Sequence, residues 1–212
     1  SNVYRCSYGR KRRRTRRIYD TMHTESIMSQ MLKPHIRFAD EVSLKQWKTP
    51  QRIITDFLIL QVLEGTVTLQ IENGSHELAA GSFCFVQPGL SHRFEAESPV
   101  RFVALHFELF PKAERETEPP IFVPIGRDAA SLSMQPSFAQ FSDIFVPIIL
   151  KPSRAKWLAQ KLADTAACWR EKDAIGNLKA HQYAAEIVVE LIEEHRLHDR
   201  EEPRRSTALS WV

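Results

Sequence analysis

Charged side chains set within apolar stretches are the first candidates for chemistry in this chain. Arg52 and Asp56 stand four residues apart in QRIITDFLIL, and strand alternation puts both on one face with Ile54. Charges inside a protein need partners, because burying them unpaired is costly. Two hypotheses stay open here. Either these side chains hydrogen-bond a polar small molecule, or they form an internal Arg52–Asp56 pair that orders a strand.

Two histidines in strand-like segments extend this candidate set. His92 follows the turn signal Pro88-Gly89 and precedes Phe94 by two residues, so a strand would carry both on one face. His106 lies in the apolar run VALHFEL and is expected to line the interior. We therefore expect Arg52, Asp56, His92, Phe94 and His106 to contact a bound small molecule.

Patterns for nucleophilic catalysis are absent from the sequence. There is no GxSxG motif, and no cysteine stands beside a histidine. Cys84 lies between Phe83 and Phe85 and is expected to be an inert core thiol. We expect no catalytic residue and no enzyme. The other cysteines, Cys6 and Cys168, are too distant to form a CxxC pair, which is typical of reduced thiols in a cytoplasmic protein.

A basic arm opens the chain. Residues 1–17 hold eight Lys and Arg and no acid, which leaves 21 basic against 26 acidic residues in the remainder. One hypothesis is a small nucleic-acid-binding module in which the arm binds phosphates with a steep salt dependence. The other is a solvated tail. The lack of helical period or strand alternation favours a disordered basic arm over residues 1–33.

Short alternating segments separated by turn signals occupy residues 53–107. Asn73-Gly74 is a strong hairpin signal, and at least five short strands joined by tight turns predict an antiparallel β-barrel over residues 34–120. The six phenylalanines between 57 and 107 are expected to fill its interior. No apolar run approaches the length of a membrane span, so no membrane association is expected.

The pattern changes after residue 120. Residues 121–152, interrupted by four prolines, are expected to form an irregular connection. Residues 153–197 show apolar positions at helical spacing, broken at Gly176-Asn177, which predicts an antiparallel helical hairpin. Residues 198–212 are expected to be a linker.

Two segments carry a family resemblance. Residues 62–94, VLEGTVTLQIENGSHELAAGSFCFVQPGLSHRF, and residues 103–109, VALHFEL, resemble the cupin pattern of AraC-type bacterial transcriptional regulators. The order of barrel, helical hairpin and linker also resembles the N-terminal half of these regulators. The resemblance implies a cupin-like fold, mainly β with α, that binds a small effector. It also implies that DNA is contacted through a C-terminal helix-turn-helix domain absent from this chain.

The resemblance further implies a homodimer held by the helical hairpin. The apolar stripes of the hairpin cover the barrel, meet a partner, or do both. The residues expected at the dimer contact are Trp157, Leu158, Leu162, Leu178, Ile187 and Leu191.

Cupin enzymes hold a metal with an HxH pair, a Glu and a further His, a ligand set suited to Zn, Fe, Mn or Ni. Only His92 matches that pattern, because residues 51–56 contain no His and Leu58 stands near the Glu position. We therefore expect no metal and no cofactor, and an effector that is sugar-like or a small acid. The strand parity of the cupin pattern points Arg52 and Asp56 inward. The alternative is a metal-dependent cupin isomerase or dioxygenase.

Overall fold

The computed structural model describes residues 32–111, 122–124, 134–142 and 144–201. Residues 1–31 of the expected arm, with Cys6, and residues 202–212 of the expected linker lie outside the described residues. The elements in chain order are β1 (His35–Leu44), β2 (Trp47–Lys48), β3 (Arg52–Ile54), β4 (Phe57–Glu64), β5 (Thr66–Ile71), β6 (Gly74–Ala79), β7 (Phe83–Val86), β8 (His92–Ala96), β9 (Val100–Glu108), β10 (Phe122–Pro124), α1 (Phe138–Phe141), β11 (Ile149–Leu150), α2 (Ala155–Glu171) and α3 (Ala174–Glu201).

The described strands form two antiparallel sheets. One has five strands in the order β1-β9-β4-β7-β11. The other has six, in the order β10-β3-β8-β5-β6, with β2 beside β8. The sheets face each other without closing into one continuous hydrogen-bonded barrel. The expected fold class, antiparallel cupin-like β structure followed by a helical hairpin, is confirmed.

A glycine makes the tight connection between β4 and β5 possible. Gly65 has φ +79°, a left-handed conformation that favours glycine. A Cβ at this position would overlap the carbonyl oxygen of Pro99. The backbone of the β8–β9 turn therefore packs directly against Gly65, which brings β9 alongside β4.

Two apolar cores follow from the alternation along the strands. The inter-sheet core lies between the two sheets and contains Leu58, Leu60 and Val62 of β4. The sheet–helix core lies between the five-stranded sheet and the helices and contains Phe57 and Ile59 of the same strand. β4 is thus buried on both faces, which is why its sequence is almost continuously apolar.

The expectation that six phenylalanines fill the barrel interior is wrong for four of them. Phe57, Phe83, Phe85 and Phe107 belong to the sheet–helix core, and only Phe94 and Phe102 lie between the sheets. The ring of Phe57 stacks on that of Phe107 with centroids 5.4 Å apart. The physical reason is that the helices cover the outer face of the five-stranded sheet, so its outward positions need large apolar side chains too.

Residues 121–152 are not simply an irregular connection. Residues Phe122–Pro124 add to the edge of the six-stranded sheet beside β3, and Ile149–Leu150 add to the five-stranded sheet beside β7. Edge strands leave backbone N–H and C=O groups unpaired, and these additions satisfy part of them. The described pieces are only three and two residues long, too short for alternation to reveal.

Helices α2 and α3 form the expected antiparallel hairpin, but its break lies earlier than Gly176-Asn177. α2 ends at Glu171, and Lys172 adopts φ 53° to turn the chain. Gly176 is instead buried in the first turn of α3, where a Cβ would approach the carbonyl oxygen of Cys168. α3 continues to Glu201, past the expected boundary at 197. No helix among the described residues is long and apolar enough to span a membrane.

Candidate functional site

One end of the space between the sheets is polar. β9 places Phe102 and Ala104 in the inter-sheet core, so alternation continues inward with His106 and Glu108. The β3–β8 pairing sets Arg52 opposite His92. We call the group Arg52, Asp56, His92 and His106 the polar end.

Asp56 and His106 form a buried pair within the polar end. Nδ1 of His106 lies 3.2 Å from both carboxylate oxygens of Asp56. The side chain of Asp56 is 1% exposed and that of His106 is 6% exposed, so little solvent screens the contact. Since a carboxylate only accepts, Nδ1–H of His106 donates to it, and this fixes the orientation of the ring.

The rings of two phenylalanines flank the imidazole of His106. Phe122 of β10 meets it edge to face, with centroids 5.4 Å apart. Phe38 of β1 approaches at 6.2 Å with the same kind of geometry. These rings give the polar end apolar walls, a combination typical of small-molecule sites.

His92 is fully buried and has one ring nitrogen without a partner. Its Nδ1–H donates to the carbonyl oxygen of Leu90 over 2.8 Å. Nε2 is buried and has no hydrogen-bond partner among the described residues. The pKa of His92 is lowered to about 4, mainly by burial and to a smaller extent by the nearby Arg52 and His106, while the hydrogen bond to Leu90 opposes the shift. The ring is therefore neutral at pH 7, with Nε2 as an acceptor.

Arg52 presents the complementary group. Its Nε is buried and lacks a hydrogen-bond partner in the part of the chain that the structure describes. The guanidinium carbon lies 4.2 Å from the centroid of the Phe122 ring. Burial lowers the pKa of Arg52 to about 10, although the charge of Asp56 raises it. The side chain therefore remains a cation at neutral pH, with a donor that needs an acceptor.

Asp56 pairs with His106 rather than with Arg52. No contact within 4.0 Å joins the charged atoms of Arg52 and Asp56, whereas the His106 contact is 3.2 Å. The internal-pair hypothesis for Arg52 and Asp56 is wrong in this respect. The reason lies in the strand pairing, because β4 sets Leu58 opposite His106 and so brings Asp56 to that histidine.

A second buried ion pair borders the polar end. Nε of Arg37 lies 3.8 Å from a carboxylate oxygen of Glu108, and the two side chains are 1% and 0% exposed. Arg37 occupies the bulge between Ile36 and Phe38, where β1 shifts register against β9. The bulge re-aims Arg37 toward β9.

The described side chains at this end show no arrangement suited to a metal. No group of three or more His, Cys, Asp or Glu capable of holding a metal ion occurs among the described residues. Leu90 and Asp56 engage Nδ1 of the two histidines. Cys84 lies within the inter-sheet core, where burial raises the pKa of its thiol to about 12. This matches an inert core thiol.

Comparison of the sequence with models of protein families identifies the family of this chain. The family model described as the AraC-like ligand-binding domain matches residues 38–165, which is more than half of the chain. The chain belongs to the family of AraC-like ligand-binding domains. The matched residues include both sheets apart from the first three residues of β1, the whole polar end and most of α2. No curated protein matches this chain.

Solved structures similar to this AraC-like domain share little identity with it. A putative ethanolamine utilization protein Q of Salmonella typhimurium is 24% identical, covering 34% of this chain and 57% of that one, with TM-score 0.31. A cupin-2 domain protein of Shewanella frigidimarina is 16% identical, covering 40% of this chain and 88% of that one, with TM-score 0.30. ToxT of Vibrio cholerae, with bound unsaturated fatty acid, is 15% identical, covering 34% of this chain and 29% of that one, with TM-score 0.29. The chain thus spans under two thirds of the first protein's length.

The AraC-like domain brings four of the five expected contact residues together. Arg52, Asp56, His92 and His106 make up the polar end. Phe94 lies one step deeper, where its ring meets His92 edge to face at 5.5 Å and stacks on Trp47 at 4.9 Å. Phe94 therefore supports the ring of His92 from within the inter-sheet core.

Sequence reasoning missed three residues at this end. Glu108 shares a strand face with His106 two positions earlier, so alternation was a usable signal for it. Arg37 carried no such signal, because it reaches Glu108 from a bulge. Phe122 lies in a strand of three residues that follows undescribed residues, and its contacts depend on pairing across the chain.

The six expected dimer residues of the AraC-like domain fall into two groups. Leu158, Leu162, Ile187 and Leu191 are buried against the five-stranded sheet, so their side chains cover this chain's own core. Trp157 is partly buried there. Leu178 is 71% exposed and remains open to a partner. Helical periodicity identifies the apolar positions of the hairpin, but it cannot tell which of them face the chain's own core and which face solvent.

Proposed function

We propose that this AraC-like domain is the effector-sensing part of a transcription regulator and binds a small polar molecule at the polar end. One observation carries the proposal. Arg52 Nε and His92 Nε2, a donor and an acceptor on partnered strands, are both buried without a hydrogen-bond partner among the described residues. Buried polar groups are nearly always satisfied, so a donor–acceptor pair left open calls for a ligand.

A thermal-shift screen tests this proposal. The purified chain is heated with sugars, polyols and small acids, because a ligand that binds only the folded state raises Tm. Arg52→Met keeps the length of the side chain and removes its donors, so it should abolish the shift. Arg93→Met is the matched control, since Arg93 lies on β8 but bonds Gln70 on the sheet. A silent screen, or equal loss in both variants, would contradict the proposal.

We further propose that the domain forms a homodimer through α3. Ile175, Leu178 and Val189 are 64%, 71% and 53% exposed. At 100° per residue these positions lie within about 60° of one another around the helix axis. Exposed apolar side chains on one face of a helix are typical of a partner-binding surface.

In the proposed mechanism, effector binding biases how the dimer presents DNA-binding domains. We propose, on the resemblance to AraC-type regulators, that these DNA-binding domains are helix-turn-helix domains of the parent protein and that it acts in the cytoplasm. The five-stranded sheet connects the polar end with the helical hairpin, because one face of the sheet carries His106 and the other packs against α2 and α3. An effector shifts the dimer only if it binds two arrangements with different affinity.

The proposed role is that of a sensor and not of an enzyme. The nucleophile candidate Cys84 lies in the inter-sheet core with a raised thiol pKa of about 12. Metal analysis of the purified protein tests this part separately. Stoichiometric Fe, Mn, Ni or Zn would favour the metal-dependent cupin enzyme instead.

A further inference from the structure

We infer that a strap, defined as residues 134–142 and 144–153, couples the polar end to the helical hairpin. The inference rests on the proposed function and names the route by which ligand binding reaches α2 and α3. It is carried by two glutamines, Gln87 and Gln135, whose hydrogen bonds join the strap to the strands that hold the polar end.

Gln135 joins the strap to two strand ends at the polar end. Its backbone N–H donates over 2.9 Å to the carbonyl oxygen of Thr55, the residue before Asp56. Its side-chain oxygen accepts from the backbone N–H groups of Leu109 and Phe110, just after β9. Its Nε2 donates to the carbonyl oxygen of Phe110 over 2.9 Å. Gln135 is almost fully buried, so these bonds are costly to break.

Gln87 makes the second tie, in the connection from β7 that leads to His92. Its side-chain oxygen accepts from the backbone N–H of Phe138 over 2.9 Å. Its Nε2 donates to the carbonyl oxygen of Val146 over 3.3 Å. The two glutamines therefore tie the strap to backbone that lies near three of the four side chains of the polar end in sequence.

From these ties the strap runs through the sheet–helix core to the hairpin. The ring of Phe138 meets that of Phe85 edge to face, with centroids 5.7 Å apart. The carbonyl oxygen of Ile148 accepts from the backbone N–H of Phe85, and β11 then pairs with β7. At the end of the strap, the N–H of Ser153 donates to a carboxylate oxygen of Glu194 in α3 over 2.6 Å. The strap thus contacts both the polar end and the hairpin.

The strap is better suited to carry a displacement than the five-stranded sheet beside it. Strands inside a sheet are bonded to their neighbours along their length, whereas the described strap contains one helix of four residues and one strand of two. Segments with little regular hydrogen bonding open at lower free energy than the strands of a core. A shift of the strand ends bonded to Gln135 must therefore either move the strap or break buried hydrogen bonds.

Backbone amide exchange, measured by nuclear magnetic resonance on the full chain without ligand, tests the coupling. Phe138 reports on the strap, Leu158 on the first turn of α2, and Leu69 of β5 on opening of the whole fold. Asp56→Asn disturbs the polar end and should speed exchange at Phe138 and Leu158 at least about threefold more than at the reference amide. In a Gln135→Met background, the same change should alter exchange at Leu158 by less than about 1.5-fold.

Gln61→Met is the matched control. Gln61 is a buried glutamine of β4, and no hydrogen bond among the described residues joins its side-chain oxygen to the strap or to any other group. The effect of Asp56→Asn at Leu158 should persist in this background. Gln87→Met removes the second tie and should give the result expected for Gln135→Met, which keeps the test decisive if Gln135→Met does not fold.

Three results would overturn the inference. The first is an equal effect at Leu158 with and without the glutamine ties, which would assign the coupling to the sheet. The second is exchange at Phe138 and Leu158 that only follows Leu69. The third is an effect lost equally in Gln61→Met. Because no ligand is used, a silent ligand screen contradicts the proposed function alone, whereas these three results contradict the strap alone.

Discussion

Arg52 and His92 are backbone partners across β3 and β8, and each directs toward the polar end a buried nitrogen without a hydrogen-bond partner among the described residues. The charged side chains nearby lie beside partners of opposite charge or hydrogen-bonding character. Asp56 holds His106, and Arg37 holds Glu108. A buried donor and a buried acceptor on paired strands, both without a hydrogen-bond partner among the described residues, are the features that favour a binding site here.

His92 should make stability depend on pH. Its folded pKa of about 4 lies below the ordinary 6.5, so the unfolded chain binds the proton more readily. The contribution is fully present above about pH 6.5 and is lost as pH falls toward 4, by on the order of 3 kcal/mol. Urea unfolding across this window should show the loss in the wild type. The slope should weaken in His92→Gln and persist in the control His76→Gln; equal slopes in all three would contradict the assignment.

Removing the acceptor of His106 should destabilise the fold. Asp56→Ala leaves Nδ1–H buried without a partner, at a cost of about 1–3 kcal/mol. Asp56→Asn keeps an acceptor oxygen and should cost less. Double-mutant cycles measured by urea unfolding should give stronger coupling of Asp56 with His106 than with Arg52. The reverse order would restore the Arg52–Asp56 pair as the dominant contact.

Gly65 and Gly81 offer a matched test of backbone packing. Both have positive φ, +79° and +89°, and a Cβ at Gly65 would meet a carbonyl oxygen. A Cβ at Gly81 would have no atom within 4 Å among the described residues, apart from its own chain neighbours. Gly81→Ala should cost about 1 kcal/mol from conformation alone. Gly65→Ala adds overlap with Pro99 and should cost clearly more. Equal free energies of unfolding for the two variants would show that the β8–β9 turn moves aside freely.

The exposed apolar side chains of α3 should determine oligomeric state. Leu178→Asp places a charge where the proposed dimer excludes water, and the 71% exposure of Leu178 means that the fold of the single chain is spared. Analytical ultracentrifugation should show a dimer dissociation constant at least about tenfold higher than that of the wild type. Ser75→Asp, at an exposed position of β6, is the control and should dimerise normally. A wild-type chain that is monomeric, or a dimer indifferent to Leu178→Asp, would rule out this surface.

The location of the polar end could be predicted because strand parity is a local property. Arg52 and Asp56 share a face by spacing alone, and turn signals fix where His92 begins its strand. The choice of partner for Asp56 could not be predicted, since it depends on which strand lies beside β4. Pairing of β4 with β9 is a long-range property, and it brings His106 to the carboxylate.

The same limit explains the misplaced phenylalanines and the misplaced helix break. β4 is apolar on both faces, so alternation cannot tell which face meets the second sheet and which meets the helices. Gly176 looks like a break in sequence, yet the turn uses Lys172 at φ 53° and keeps Gly176 for close packing against α2. Tertiary contacts decide both cases.

The most direct test of the central claim is nuclear magnetic resonance of the arginine Nε–H groups during titration with the ligand found in the screen. A bound ligand that accepts from Arg52 should shift its Nε–H signal and slow its exchange with water. Arg93 Nε already donates to Gln70 over 2.6 Å and serves as an internal control that should stay in place. A ligand that raises Tm but leaves the Arg52 signal unchanged, or moves both signals alike, would show that binding occurs elsewhere.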